Sequence, residues 1–166
     1  MKRVIFAILF MLVPAVCHAD ELKDAMGALK HLNGAALNGA SCKDLAIFLE
    51  VAKSEVGYYL KGEETKQNKK IKEAMSETIH YYDVAQTFLC KIDRPNGLVN
   101  FGKDASPADN KITSEYFAIF PQDKKDVSEG GALINKQGTK LHLKTATVRI
   151  FKKASIKYDE LTKSLK

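Results

Sequence analysis

The chain has 166 residues, of which 45% are hydrophobic and 28% are charged, with a net charge of +6 and three cysteines. These values are typical of a globular protein, and the length fits one domain. The cysteines lack CxxC spacing, which excludes a zinc ribbon, a thioredoxin-type site and covalently attached haem. No Gly-rich phosphate-binding loop is present, which argues against the usual nucleotide chemistry.

Residues 1–19 are predicted to be a secretory signal peptide. Lys2 and Arg3 provide a basic start, and the ten apolar residues that follow are fewer than the ~20 needed to span a bilayer. Small residues precede Asp20, so cleavage before this residue is expected. The alternative is a lipoprotein acylated at Cys17. Cleavage before Asp20 would leave a mature protein that is periplasmic or secreted.

Cleavage would leave residues 20–166, with a net charge of +4 because only Lys2 and Arg3 are lost from the charged set. Two cysteines would remain, Cys42 and Cys90. In an oxidising compartment this pair is predicted to form a disulfide, which closes a loop of 49 residues and contributes ~4 kcal/mol through chain entropy. The alternative is a pair of free, buried thiols.

Two helices are predicted in the first half of the mature chain. The first begins with Asp20 as its cap and ends at Asn33-Gly34, before a second turn signal at Asn38-Gly39. The second begins at Ser41, in a sequence that resembles a capping box, and ends at Gly62, where a positive φ is expected. Its apolar stripe consists of Leu45, Phe48, Leu49, Ala52, Val56, Tyr59 and Leu60.

A third helix is predicted to end at Cys90, after which Pro95-Asn96-Gly97 breaks the chain. The disulfide would tie the start of the second helix to the end of the third, which is the geometry of an antiparallel hairpin. The apolar stripe of this third helix consists of Ile71, Met75, Ile79, Tyr82, Ala85 and Leu89.

Residues 98–166 are predicted to extend the disulfide-linked hairpin of residues 41–92. Leu98–Lys103 is expected to be irregular, and Ser106-Pro107 is a helix start. A helix is favoured over 111–120, with a short strand at 116–120 as the alternative.

The last segment is predicted to be one long helix that begins near Thr139. Within residues 139–147, a strand at 141–147 is the alternative. With this helix the mature chain has five, which indicates an all-α fold, a small helical bundle in a single domain.

Glu77 and His80 form an ExxH sequence, whose side chains share a helix face and could contact one metal ion. Di-iron bundles need two such motifs with further carboxylates, and zinc sites recruit more His or Cys. An exposed polar face is therefore the better interpretation. We expect no metal, no other cofactor and no catalytic residues.

The C-terminal helix is basic: residues 144–166 contain seven basic and two acidic residues, a net charge of +5. Such a helix can bind anionic lipid or envelope polyanions, or it can be a solvated face that keeps the protein soluble. The residues expected on this face are Arg149, Lys152, Lys153, Lys157 and Lys163. Tyr58 and Tyr81 are predicted to lie off the core stripes, where a tyrosine can serve an interface.

The segments Ser41–Leu45 and Val56–Leu60, followed by Cys90, resemble the HdeA/HdeB family of periplasmic acid-stress chaperones. The resemblance covers about residues 40–92. It implies a helical fold stapled by Cys42–Cys90. It also implies a homodimer that opens at low pH to expose apolar surface to client proteins.

These observations predict a small, exported, non-catalytic protein that binds another periplasmic or envelope protein. The role would be that of an accessory factor, a chaperone or an immunity protein against a toxin. The alternative is a binder of envelope polyanions or anionic lipid through the basic helix, with peripheral membrane contact. We expect no nucleic-acid partner in an exported protein and no transmembrane span after cleavage.

Overall fold

The computed structural model describes residues 2–93, 97–103, 105–123 and 140–165, with side chains described from residue 19 onward. Within these residues the chain forms five helices and a two-stranded sheet, so the predicted all-α bundle is confirmed. In chain order the elements are α1 (Lys2–Leu37), α2 (Cys42–Lys61), α3 (Lys69–Leu89), β1 (Leu98–Asn100), α4 (Pro107–Ile119), β2 (Lys140–His142) and α5 (Leu143–Ser164).

The first helix is predicted to begin at Asp20. In the structure, α1 begins earlier and passes through this residue. The residues that precede Asp20 continue the same helix. Cleavage before Asp20 stays a prediction. In the described part of the chain, no helix has an apolar stretch long enough to cross a bilayer.

The end of α1 also differs from the prediction, because the helix continues past Asn33-Gly34 to Leu37. It ends in a Schellman motif at the second turn signal. Gly39 has a φ of 73°, and the next amide, that of Ala40, donates to the carbonyl of Ala35 at 3.0 Å. A positive φ is costly for most residues, so the position of this glycine decides where the helix ends.

The start of α2 is fixed by a cap and by a covalent bond. The Ser41 hydroxyl accepts a hydrogen bond from the Asp44 amide at 3.2 Å, as predicted. One residue further on, Cys42 forms a disulfide with Cys90, with the two Cα atoms 5.0 Å apart. The predicted pairing is confirmed, and α2 and α3 form an antiparallel hairpin joined at this end.

The other end of α2 shows a correction, because Gly62 has a φ of −60° rather than a positive value. A side chain from α3 forms hydrogen bonds with carbonyls at this end of α2. The Lys72 ammonium donates to the carbonyl of Leu60 at 3.1 Å and to that of Gly62. Lys72 is only 5% exposed and also lies over the Tyr59 ring.

The core is centred on α3, which packs against α2, α4 and α5. Because it has neighbours on several sides, its buried face is wider than the single predicted stripe. Tyr81 lies in this face and is 8% exposed, so the expectation that it lies off the core is wrong. The buried residues of α3 are Lys72, Met75, Thr78, Tyr81, Tyr82, Val84, Ala85 and Phe88.

The two short strands pair antiparallel, with Val99 opposite Leu141, and both of these side chains are buried. The prediction of irregular structure is therefore wrong for Leu98–Asn100. A strand of three residues carries little signal in its own sequence, since its hydrogen-bond partner lies far along the chain. Beyond β2, α5 begins at Leu143, whereas Thr139, the predicted start, lies outside the described residues.

The predicted start of α4 is confirmed. Ser106 caps the helix by accepting a hydrogen bond from the Asp109 amide at 3.1 Å, and Pro107 occupies the first turn. Residues 116–119 are helical rather than a strand, and the helix ends at Ile119. Tyr116 is buried and packs near the Phe88 ring, which joins α4 to α3.

We expect the Cys42→Ser/Cys90→Ser variant to unfold with a free energy about 4 kcal/mol lower than the wild type, since the closed loop constrains the unfolded chain. Urea titration under non-reducing conditions measures the difference. The control is the wild type with reductant, which should shift by the same amount. Alkylation of both cysteines in native, unreduced protein would contradict the disulfide.

We expect Lys72→Met to lower the free energy of unfolding by about 2 kcal/mol, because two partly buried carbonyls, those of Leu60 and Gly62, lose a charged donor. Lys70→Met is the matched control, since Lys70 is exposed on the same helix, and it should change stability by no more than about 0.5 kcal/mol. Equal effects of the two variants would show that the charge, and not the carbonyl contact, matters.

Candidate interaction surfaces

The helix α2 has apolar side chains on the face opposite the core. Ile47, Val51 and Tyr58 follow one another at spacings of four and seven residues, which places them on one side of a helix. Each is more than half exposed, and Phe48 beside them is 39% exposed. We call these four residues the α2 outer face. The Tyr58 ring is held by the ammonium of Lys61, 5.5 Å from its centroid.

The two predicted interface tyrosines differ in their surroundings. Tyr58 is 61% exposed and belongs to the α2 outer face. Tyr81 is buried, and its hydroxyl donates to Glu77. Burial and this hydrogen bond raise the pKa of Tyr81 to about 12. Tyr58 is therefore available to a partner, whereas Tyr81 is not.

The basic residues of α5 do not form one uniform surface, since two of them pair with acids of the bundle. Arg149 forms an ion pair with Asp123 at 2.7 Å and lies over the Phe120 ring. Lys157 pairs with Glu77 at 2.7 Å. Lys152, Lys153 and Lys163 are exposed. The predicted set is thus divided between cations that form ion pairs with acids of the bundle and cations that are exposed.

Glu77 of the ExxH sequence has a structural role. It accepts hydrogen bonds from Tyr81 and Lys157, and the bond from Lys157 is the main cause that lowers its pKa. The same bond raises the pKa of Lys157. His80 is exposed one turn away. Among the described residues, no three His, Cys, Asp or Glu side chains are grouped to hold a metal ion.

A cleft of about 310 Å³ between α3 and α4 holds the side chain of His80 beside Asp83 and Glu115. Asp83 accepts a hydrogen bond from Lys53 of α2 at 2.7 Å, so its carboxylate serves the contact between α2 and α3. Asp83, in the wall of the cleft, therefore contributes to the packing of α2 against α3. The expectation of no catalytic residues stays a prediction.

A second surface lies where the end of α1 meets α5. A groove of about 340 Å³ is lined by Leu37 from α1 and by Val148, Lys152 and Ile156 from α5. The three apolar side chains are between 46% and 67% exposed. No local sequence pattern indicated this groove, because its two walls come from helices that are far apart in the chain.

No protein-family model matches the chain. No curated protein matches it, and no solved structure matches it. Its function is therefore inferred from its surfaces.

We expect Glu77→Gln to lower the free energy of unfolding at pH 7 by roughly 0.5–1 kcal/mol, because the pair with Lys157 is partly exposed. The hydrogen bond from Lys157 holds the pKa of Glu77 below its ordinary value in the folded state, so the ionised carboxylate stabilises the fold at neutral pH. This contribution is lost as the pH falls through the folded-state pKa.

Urea titrations of the wild type and of this variant at neutral and acidic pH measure the effect, and the difference should shrink towards zero in acid. Glu73→Gln, at an exposed position of the same helix, is the control and should have little effect at either pH. A difference between wild type and Glu77→Gln that does not change with pH would contradict the ion pair.

Proposed function

We propose that this is an exported, non-catalytic protein that binds another protein through the α2 outer face. The observation that carries the proposal is the exposure of Ile47, Val51 and Tyr58 on a helix whose opposite face is already buried in the core. A helix that is apolar on both faces is normally covered on both. Within the described residues, the fold covers only one of these two faces.

The residue types of this face favour a protein partner. Aromatic residues are enriched at protein interfaces, and lysine is depleted there. The α2 outer face consists of two aromatic residues, Phe48 and Tyr58, and two aliphatic residues, Ile47 and Val51. Spacings of four and seven residues also fit the mode in which a helix lies in an apolar groove of its partner.

The rigidity of α2 supports the same role. The disulfide and the Ser41 cap hold its first turn, and Lys72 holds its last carbonyls. Lys53 joins its middle to Asp83 of α3 at 2.7 Å. A helix that is already ordered loses little entropy on association, so more of the contact energy appears as affinity.

The proposed partner is an envelope protein with an apolar groove. Toxin immunity, chaperoning and secretion-accessory roles all require such a docking face. A second copy of this chain is a further candidate, because antiparallel pairing of two α2 helices would bring Asp44 of one copy near Lys61 of the other. The Cys42–Cys90 disulfide supports an oxidising compartment for the protein.

We expect Ile47→Asp/Val51→Asp to weaken capture of the partner from envelope extract at least tenfold, since it places two charges in an apolar contact. Capture by the wild type should persist at high salt, because apolar contacts are not screened. Immobilised wild type and variants, compared by quantitative mass spectrometry, measure capture. Light scattering of the purified protein tests for the homodimer.

Val148→Asp/Ile156→Asp is the matched control, because it adds the same charges at exposed apolar positions of α5 and should leave capture unchanged. Both variants alter exposed positions, so their unfolding transitions should match that of the wild type. Equal capture by all three proteins, or its loss at high salt alone, would contradict the proposed docking face.

A further inference from the structure

The outward side of α5 combines apolar and cationic residues. Val148, Lys152, Ile156 and Lys163 lie at spacings of four, four and seven residues, which places them on one side of the helix. Val148 and Ile156 are 60% and 46% exposed, and both lysines are exposed. Leu37 of α1 closes the groove beside them and is 67% exposed.

The free charge on this side is positive. Arg149 and Lys157 are paired with Asp123 and Glu77 of the bundle, so they add little to the outward field. Among the described residues of this side, Lys144, Lys152 and Lys163 are exposed, and one exposed acid, Asp159, opposes them.

The charge is spread along the helix rather than gathered at one point. Lys144 and Lys163 are separated by 19 positions, which corresponds to ~28 Å along a helix. A single small anion cannot meet charges that far apart, whereas an extended anionic surface can. The favourable geometry is therefore that of a helix lying flat on such a surface.

The residue type of the exposed cations favours a lipid surface over a protein partner. Lysine is depleted at protein interfaces, where arginine and aromatic residues are enriched. The arginine of α5, Arg149, is engaged by Asp123 and by the Phe120 ring. What faces outward is lysine, a flexible point charge that needs no oriented partner, beside aliphatic groups that can enter an interface.

We propose that this surface docks the protein on an anionic lipid bilayer, with Leu37, Val148 and Ile156 entering the headgroup region and Lys144, Lys152 and Lys163 meeting lipid phosphates. This surface is separate from the α2 outer face. Docking here would leave the α2 outer face free for a protein partner, and the protein would act as a peripheral membrane protein without a spanning helix.

Flotation with vesicles tests the proposal, using protein purified after export so that every variant has the same N-terminus. The vesicles contain phosphatidylglycerol and phosphatidylcholine, or phosphatidylcholine alone. The wild type should bind the anionic vesicles and release at high salt. Lys152→Gln/Lys163→Gln should lower the partition coefficient about 25-fold, because the loss of each lysine lowers it about fivefold.

Three variants give the test its specificity. Lys66→Gln/Lys70→Gln removes the same charge at exposed positions away from α5 and should change binding less than about twofold. Asp159→Asn should strengthen binding about fivefold. Val148→Asn/Ile156→Asn should weaken it about tenfold, because the apolar contact is lost.

Equal losses from the two lysine pairs would overturn the proposal, since binding would then follow net charge alone. Binding unaffected by Val148→Asn/Ile156→Asn, or abolished equally well by soluble polyphosphate at matched phosphate concentration, would also overturn it in favour of a soluble polyanion. Ile47→Asp/Val51→Asp should leave vesicle binding unchanged. The protein-docking and lipid-docking proposals can therefore fail independently.

Discussion

The Cys42–Cys90 disulfide is the constraint on which the arrangement of the helices depends. It fixes the first turn of α2 against the last turn of α3, and the charged contact of Lys72 fixes the other end of the same pair. With both ends held, the buried stripe of α2 lies against the core and its second apolar face points outward. The position of α3 at the centre then determines where α4 and α5 can pack, since both cover it from other sides.

Several basic residues form contacts within the bundle, so the net charge of +6 does not show where positive charge lies at the surface. Lys72 caps the end of a helix, Lys157 joins α5 to α3, and Arg149 joins α5 to the segment after α4. The cations that remain at the surface of α5 lie beside exposed aliphatic residues. Packing thus divides the basic residues into those that stabilise the bundle and those that remain exposed at its surface.

Much of the fold could be predicted from local signals. The cap at Ser41, the start of α4 at Ser106 and the disulfide were all predicted correctly, because each depends on residues close in sequence or on the oxidation of one cysteine pair. The predictions failed where a partner from elsewhere in the chain decides the outcome. Tyr81 is buried because α3 has neighbours on several sides. Gly62 is extended, and its carbonyl accepts a hydrogen bond from Lys72 of the next helix.

By itself, the sequence determined the number of helices, the covalent link and the amount of charge near the C-terminus, since periodicity, capping and composition are local properties. Only the tertiary structure decided which residues of each helix stay exposed. The burial of Tyr81, the pairing of Arg149 with Asp123 and the groove that Leu37 shares with α5 all require separate segments of the chain to meet. Surface chemistry depends on which faces packing has covered, and no local pattern contains that information.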